Sequence, residues 1–219
     1  MIAPPRSSRS WIGLTPTPIF EPGPLSLSED QRRPRPPALL DAIERETPIS
    51  LSAQLWRVVT EGRDPLQPGR AGGRWDDGSF DVLYASSERD GALAEAWFHV
   101  ARGQPIPPSK PKKRIHRLDV ELQRVLDLSG DGRLAALGVD MQLYGRLSYL
   151  QRGGEYPTTQ QIGEVAFFYE YEAIIVPNAR WPASNVVILT EHATPAQISA
   201  DNGEAVDLTA WRAANRPGR

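Results

Sequence analysis

Prolines are concentrated at the start of this chain and limit where a folded core can lie. Nine of the 21 prolines fall within residues 1–37, which end in the run RRPRPP at 32–37. Proline fixes φ and lacks an amide donor, so such a segment cannot form a helix interior or a central strand. We therefore expect an irregular, proline-rich N-terminal arm over 1–37, a folded domain over 38–195 and a polar C-terminal tail over 196–219.

The composition excludes several classes of site. The chain has no cysteine, which removes disulfides, thiolate catalysis and cysteine-based zinc sites. Its formal net charge of −2 shows no excess of positive charge that would indicate direct nucleic-acid binding. No apolar run reaches the length of a membrane span or of a signal-peptide core. His99, His116 and His192 show no mutual spacing typical of a metal site. The sequence predicts a cytoplasmic protein, with neither a metal nor a membrane among its partners.

The stretch 82–101 has the pattern of a strand, a turn and a helix. An apolar run at 82–84 favours a buried strand, and Ser87 followed by Asp90 resembles a helix-capping signature. Glu95 follows within about one turn of the helix start, among Leu93, Ala94, Ala96 and Trp97. A carboxylate in such company is desolvated unless it faces a cleft, so the pattern indicates either a satisfied core acid or a catalytic group.

The remaining patterns predict a mixed α/β core. Helices are expected over 37–46, 131–137 and 160–169, and strands over 51–60, 114–128, 173–176 and 185–189. Arg57 interrupts an apolar strand and either faces solvent or points into a cleft, where its planar fork would suit a diphosphate. A glycine-rich loop at 67–75 carries Arg70 and Arg74 but lacks the Walker lysine and the dinucleotide spacing.

Several segments resemble motifs of the RES domain, a family named for a recurring Arg, Glu and Ser, and they occur in the family's order. These segments are Leu55-Trp56-Arg57, Gly73-Arg74-Trp75, Leu83-Tyr84-Ala85-Ser86, Ala92-Leu93-Ala94-Glu95, Gln161-Ile162-Gly163, Val176-Pro177-Asn178-Ala179-Arg180 and Asn185-Val186-Val187-Ile188-Leu189. The resemblance covers about residues 50–190. Its specificity comes from the common order of the motifs and not from any one of them.

The resemblance implies both a fold and a function. RES domains have an ADP-ribosyltransferase-like fold, a mixed α/β core around a split β-sheet with flanking helices. They are toxins of bacterial type II toxin–antitoxin pairs, and they consume NAD either by phosphorolysis or hydrolysis or by transferring ADP-ribose to a protein target. The resemblance also implies an Xre-like antitoxin that covers the active-site cleft. NAD is then a substrate, and no cofactor is expected.

The resemblance also implies roles for named residues. Glu95 would stabilise the positive charge on the ribose as nicotinamide departs, and Tyr84 would stack on the nicotinamide. Arg57 and Arg74 would hold the diphosphate or an incoming phosphate. Ser86 is a further expected contact to NAD.

Two positions depart from the family pattern. Asn178 stands where the family has serine, and Val58 stands where many relatives carry tyrosine. An asparagine can still donate and accept hydrogen bonds to a ribose or phosphate oxygen, so we expect Asn178 to contact NAD. The Asn178 departure and the proline-rich arm keep a competing interpretation open, in which the chain is a catalytically inactive RES-fold module that acts by binding a protein partner.

Overall fold

The computed structural model describes residues 34–101, 112–146 and 156–215, which contain both helices and strands. In chain order these elements are α1 (Pro37–Glu44), β1 (Ile49–Thr60), β2 (Val82–Ser86), α2 (Arg89–Ala101), β3 (Lys113–Asp127), α3 (Arg133–Ala136), α4 (Tyr156–Phe168), β4 (Ala173–Pro177), β5 (Ser184–Leu189), β6 (Ile198–Ala200), β7 (Glu204–Val206) and α5 (Leu208–Ala214). The arm predicted over 1–37 lies outside the described residues as far as position 33.

The strands form one mixed sheet whose frame is the long antiparallel pair β1 and β3. These two strands pair from Ile49 opposite Val125 to Thr60 opposite Lys113. The sheet order is β1-β2-β5-β4-β3-β6, and β7 also pairs with β3. Because β1 pairs with both β2 and β3, the sheet closes on itself. The predicted mixed α/β core, with a sheet and flanking helices, is confirmed.

Apolar side chains fill both faces of this sheet. On one face, α4 contributes Ile162 and Val165, which are fully buried against Ile174 of β4 and Val187 of β5. The opposite face buries a separate cluster that includes Leu55, Leu118 and Ile188. The alternation of buried and exposed positions along β3 follows from the two-residue period of a strand. Strands β2, β4 and β5 are therefore buried on both faces, and β2 carries Tyr84 and Ser86.

The C-terminal segment is part of this fold and not a separate polar tail. Strands β6 and β7 add to β3, and α5 packs against α2. Val206, Leu208 and Trp211 join the cluster that includes Leu93 of α2. Trp211 also donates its indole N–H to Asp90 at 2.8 Å. These contacts pack α5 against α2, which is the helix that carries Glu95.

The described helices are all short. Among them, none has both the length and the hydropathy needed to cross a lipid bilayer.

Candidate active site

A cavity of about 370 Å³ opens between β1, β2, the face of α2 and the loop that precedes β2. Its lining brings together most of the residues that the sequence singles out as substrate contacts. These residues are Arg57, Arg74, Tyr84, Ser86 and Glu95. Asn178 is not part of the lining, whereas Asn185, which sequence reasoning did not select, is.

Glu95 faces the cavity from α2 and is half-buried. Sequence alone left it as either a core acid or a catalytic group, and its place in the cavity wall agrees with the second interpretation. Asn185 at the start of β5 donates its side-chain N–H to Oε1 of Glu95 at 3.4 Å. This distance is long for a hydrogen bond to a carboxylate, so Asn185 orients Glu95 through a weak hydrogen bond.

Arg57 points from β1 into the same cavity and not into open solvent. Its guanidinium donates to the carbonyl of Gln67 at 3.0 Å and to the carbonyl of Tyr84 at 3.4 Å. Burial lowers the pKa of Arg57 to about 10, while the charge of Asp64 opposes that shift. Arg57 therefore remains a cation at neutral pH, with a charge that few water molecules screen.

Tyr84 is fixed by a buried carboxylate that the sequence did not reveal. Its hydroxyl donates to Oδ2 of Asp76 at 2.7 Å and accepts from the backbone N–H of Trp75 at 3.1 Å. Asp76 is 1% exposed and also accepts from the N–H groups of Gly72 and Gly73 at 3.0 and 2.8 Å. Burial, and after it the charge of Asp76, raises the pKa of Tyr84 well above its usual value. Tyr84 therefore stays protonated and keeps donating to Asp76.

The loop that carries Arg74 is held tightly against α4. Gln160 donates to the carbonyls of Gly73 and Asp76 at 2.8 and 3.0 Å. A Cβ atom at Gly73 would lie 2.5 Å from the Tyr84 hydroxyl, so only glycine fits there. The guanidinium of Arg74 lies over the rings of Tyr144 and Tyr156, at 4.8 and 5.8 Å from their centroids. Stacking of this kind fixes the plane of the guanidinium.

Ser86 and Asn178 make hydrogen bonds within the protein. Ser86 is 1% exposed, and its hydroxyl donates to the carbonyl of Ser184 at 3.3 Å. Asn178 is 9% exposed and does not line the cavity. Its side-chain N–H donates to Oδ1 of Asn185 at 2.8 Å. The expectation that both contact NAD stays a prediction. In this structure the side chain next to Glu95 is Asn185, and Asn178 contacts Asn185.

Histidine and carboxylate side chains do not cluster as metal ligands in the described ranges. Within those ranges, no group of three or more histidine, aspartate or glutamate side chains is arranged to hold a metal ion. His99, one helical turn after Glu95, lines the cavity as an exposed side chain.

The first prediction concerns Asp76. Asp76→Ala removes the acceptor for the Tyr84 hydroxyl and for two backbone N–H groups, so we expect the free energy of unfolding to fall by about 2–4 kcal/mol. Asp77→Ala, at the exposed neighbouring position, should cost about 1 kcal/mol or less. Urea denaturation of both variants measures the difference. Equal losses in the two variants would contradict the organising role given to Asp76.

Comparison with known proteins identifies a matching family and a similar fold. The model of the RES domain matches residues 54–211. A chain in the crystal structure of the MbcT–MbcA toxin–antitoxin complex of M. tuberculosis superposes with a TM-score of 0.68 at 21% identity, over 82% of this chain and 98% of that one. At that identity the likeness concerns the fold. A search of curated proteins found no match.

Proposed function

Because this chain belongs to the RES domain family, we propose that it is the toxin of a type II toxin–antitoxin pair and cleaves the nicotinamide–ribose bond of NAD. The single observation that best supports this function is the shared cavity of Glu95, Arg57 and Tyr84. These three residues supply a carboxylate, a half-buried cation and an aromatic ring. Those are the groups that a positively charged ribose, a diphosphate and a nicotinamide ring require.

The reaction breaks the bond between the ribose C1′ and the nicotinamide nitrogen. The bonding electrons leave with nicotinamide, which becomes neutral, and the positive charge passes to the ribose. An acceptor oxygen then forms a bond to C1′ and gives up its proton. In our proposal, Glu95 stabilises the transient positive charge, because a carboxylate in a partly dry cavity attracts a cation more strongly than water does.

We assign the remaining groups to substrate binding. Arg57 and Arg74 would hold the diphosphate, and the planar fork of each guanidinium matches two phosphate oxygens. Tyr84 would present its ring to the nicotinamide while Asp76 keeps the hydroxyl fixed. Asn185 joins this set because its amide lies beside Glu95. NAD is the substrate in this scheme, and no further cofactor is invoked.

The acceptor distinguishes two forms of this activity. Water or phosphate as the acceptor gives NAD degradation, whereas a protein side chain gives ADP-ribosylation of a target. Expression of the wild-type chain in bacteria separates them. Degradation should deplete cellular NAD, and transfer should leave a protein band labelled from radioactive NAD. If growth, NAD content and labelling all stay unchanged, the competing interpretation as a binding module is favoured.

We also propose a protein partner and a compartment. A similar fold occurs in a toxin–antitoxin complex, and a toxin of this kind requires an inhibitor in its own cell. The proposed partner is an Xre-like antitoxin that covers the cavity in the cytoplasm, where NAD is present. Co-expression with the antitoxin from the neighbouring reading frame should restore growth and yield a stable complex on purification.

A further inference from the structure

Asn178, Asn185 and Glu95 form a line of side chains that starts outside the cavity and ends at the proposed catalytic carboxylate. Asn178 donates to Oδ1 of Asn185 at 2.8 Å, and Asn185 donates to Oε1 of Glu95 at 3.4 Å. The two asparagines lie at either end of the turn between β4 and β5, and Glu95 lies on α2. The contacts therefore join three elements at one edge of the cavity.

The orientation of the Asn178 amide is determined by groups that can only donate. Its Oδ1 accepts from the backbone N–H groups of Arg180 and Trp181 at 2.8 and 3.1 Å. The side-chain nitrogen must then face the other way, where it meets the carbonyl of Gly91 at 3.3 Å and Oδ1 of Asn185. Turning the amide by 180° would set its NH₂ group against two N–H donors in a buried site, which is costly.

The fixed amide of Asn178 determines the orientation of Asn185 in turn. Because Asn178 presents N–H, Asn185 must present its oxygen to Asn178. The nitrogen of Asn185 is then the group that faces Glu95, and this is the arrangement observed. If Asn185 turned over, its carbonyl oxygen would face the carboxylate and repel it.

We propose that Asn178 is a positioning residue, which orients the Asn185 amide so that an N–H group is aimed at Glu95. This inference rests on the proposed function for its kinetic consequence, but not for the hydrogen-bond geometry. It gives the residue at the family's serine position an indirect role in this chain. A serine side chain at this position is too short to span the distance to Asn185 while it remains bonded to the turn.

The decisive substitution is Asn178→Asp. An aspartate has nearly the same shape and can still accept from Arg180 and Trp181, but it cannot donate to Asn185. Asn185 should then turn its nitrogen toward the introduced carboxylate and its oxygen toward Glu95. We expect kcat for NAD cleavage to fall by about 10- to 30-fold while KM changes by about twofold or less, since the ground-state contacts to NAD remain.

A double-mutant cycle separates orientation from a purely structural effect. If Asn178 acts through Asn185, then Asn178→Asp should cost about twofold or less in kcat once Asn185→Ala is present. If it supports only the turn, the same loss of about 10- to 30-fold should appear in both backgrounds. That second outcome would overturn the proposal. Asn178→Ser is a second variant for the same cycle, because its hydroxyl can accept a hydrogen bond from the turn without reaching Asn185.

A spectroscopic readout keeps this test independent of NAD chemistry. In ¹⁵N-labelled protein, one side-chain amide proton of Asn185 should be displaced downfield by the Glu95 carboxylate. In the wild-type background Glu95→Gln should remove that displacement. With Asn178→Asp present the Asn185 N–H faces the introduced carboxylate, so its resonance should no longer respond to Glu95→Gln, with thermal melting used to confirm that the variants fold. If Glu95→Gln still moves the Asn185 resonance in the Asn178→Asp background, the inference fails even if NAD cleavage is established. If that response is lost but NAD is never cleaved by the wild type, only the proposed function fails.

Discussion

Glu95→Gln is expected to relieve growth inhibition by this chain and to lower kcat for nicotinamide release by about 10³-fold. Glutamine has almost the same shape and keeps a polar oxygen near Asn185, but it lacks the negative charge that the ribose cation needs. Glu95 is half-buried at the cavity wall, so the loss of its charge should not force neighbouring side chains to rearrange. Its effect should therefore appear in catalysis and not in the folding of the protein.

Glu88→Gln is the matched control for that substitution. Glu88 lies just before the same helix, is exposed, and does not line the cavity. It should remain as toxic as the wild type, and both variants should melt within a few degrees of the parent protein. A Glu95→Gln protein that still arrests growth at equal expression would show that the carboxylate is not the catalytic group.

Arg57→Ala is expected to lower kcat/KM for NAD by about 100-fold, a loss of about 2.7 kcal/mol, which is in the range of a hydrogen bond to a charged group. Most of the loss should appear as a higher KM, because Arg57 is assigned to holding the diphosphate in both the ground state and the transition state. Arg57→Lys keeps a charge but lacks the planar fork, so it should recover only part of the affinity. Steady-state kinetics over a wide range of NAD concentration measures both terms.

Arg70→Ala is the control for Arg57. Arg70 is exposed and pairs with Asp81 and Glu191 at 2.7 and 3.0 Å, outside the cavity lining. Its removal should leave kcat/KM for NAD unchanged within about twofold, because Arg70 does not line the cavity. Exposed ion pairs also contribute little to stability, so the variant should fold normally. If Arg57→Ala changed kcat alone and left KM intact, the diphosphate role would be wrong, and Arg57 would act on the transition state only.

Much of the fold followed from local patterns in the sequence. The apolar runs at 82–84 and 173–176 predicted buried strands, which the structure has as Val82–Ser86 and Ala173–Pro177, and the helix formers after Ser87 predicted α2. Strands β6 and β7 gave no such signal because each has three residues and is stabilised by pairing with β3. That pairing depends on the complete sheet, so the last part of the chain was interpreted as a polar tail.

The site was predictable to the extent that its residues belong to ordered motifs. Glu95, Arg57 and Tyr84 were selected through those motifs, and the structure brings them to one cavity. Asp76 was missed because Asp76-Asp77-Gly78 has the composition of an exposed turn. Only the approach of Tyr84 and two backbone N–H groups makes it a buried acceptor. Asn185 was missed for a similar reason, since one polar residue at the start of a strand gives no functional signal.

Asn178 shows the limit of assigning a role by motif position alone. Its place after Val176 and Pro177 suggested a contact to NAD. That contact stays a prediction, and the hydrogen bonds in the structure direct its amide toward Asn185 and the first turn of α2. Sequence spacing does not encode the direction of an amide group, because that direction is determined by whichever donors and acceptors surround it in the folded protein.

The proposed NAD cleavage is best tested by analysing the products of NAD incubated with the purified protein, with and without inorganic phosphate, alongside Glu95→Gln. Mass spectrometry of the mixture should detect free nicotinamide with the wild type and about 10³-fold less with the variant. Its partner product would be ADP-ribose, its phosphorylated form, or a protein that carries ADP-ribose. If the wild-type protein releases no nicotinamide under any of these conditions, or if Glu95→Gln releases it at the wild-type rate, the proposed chemistry is contradicted.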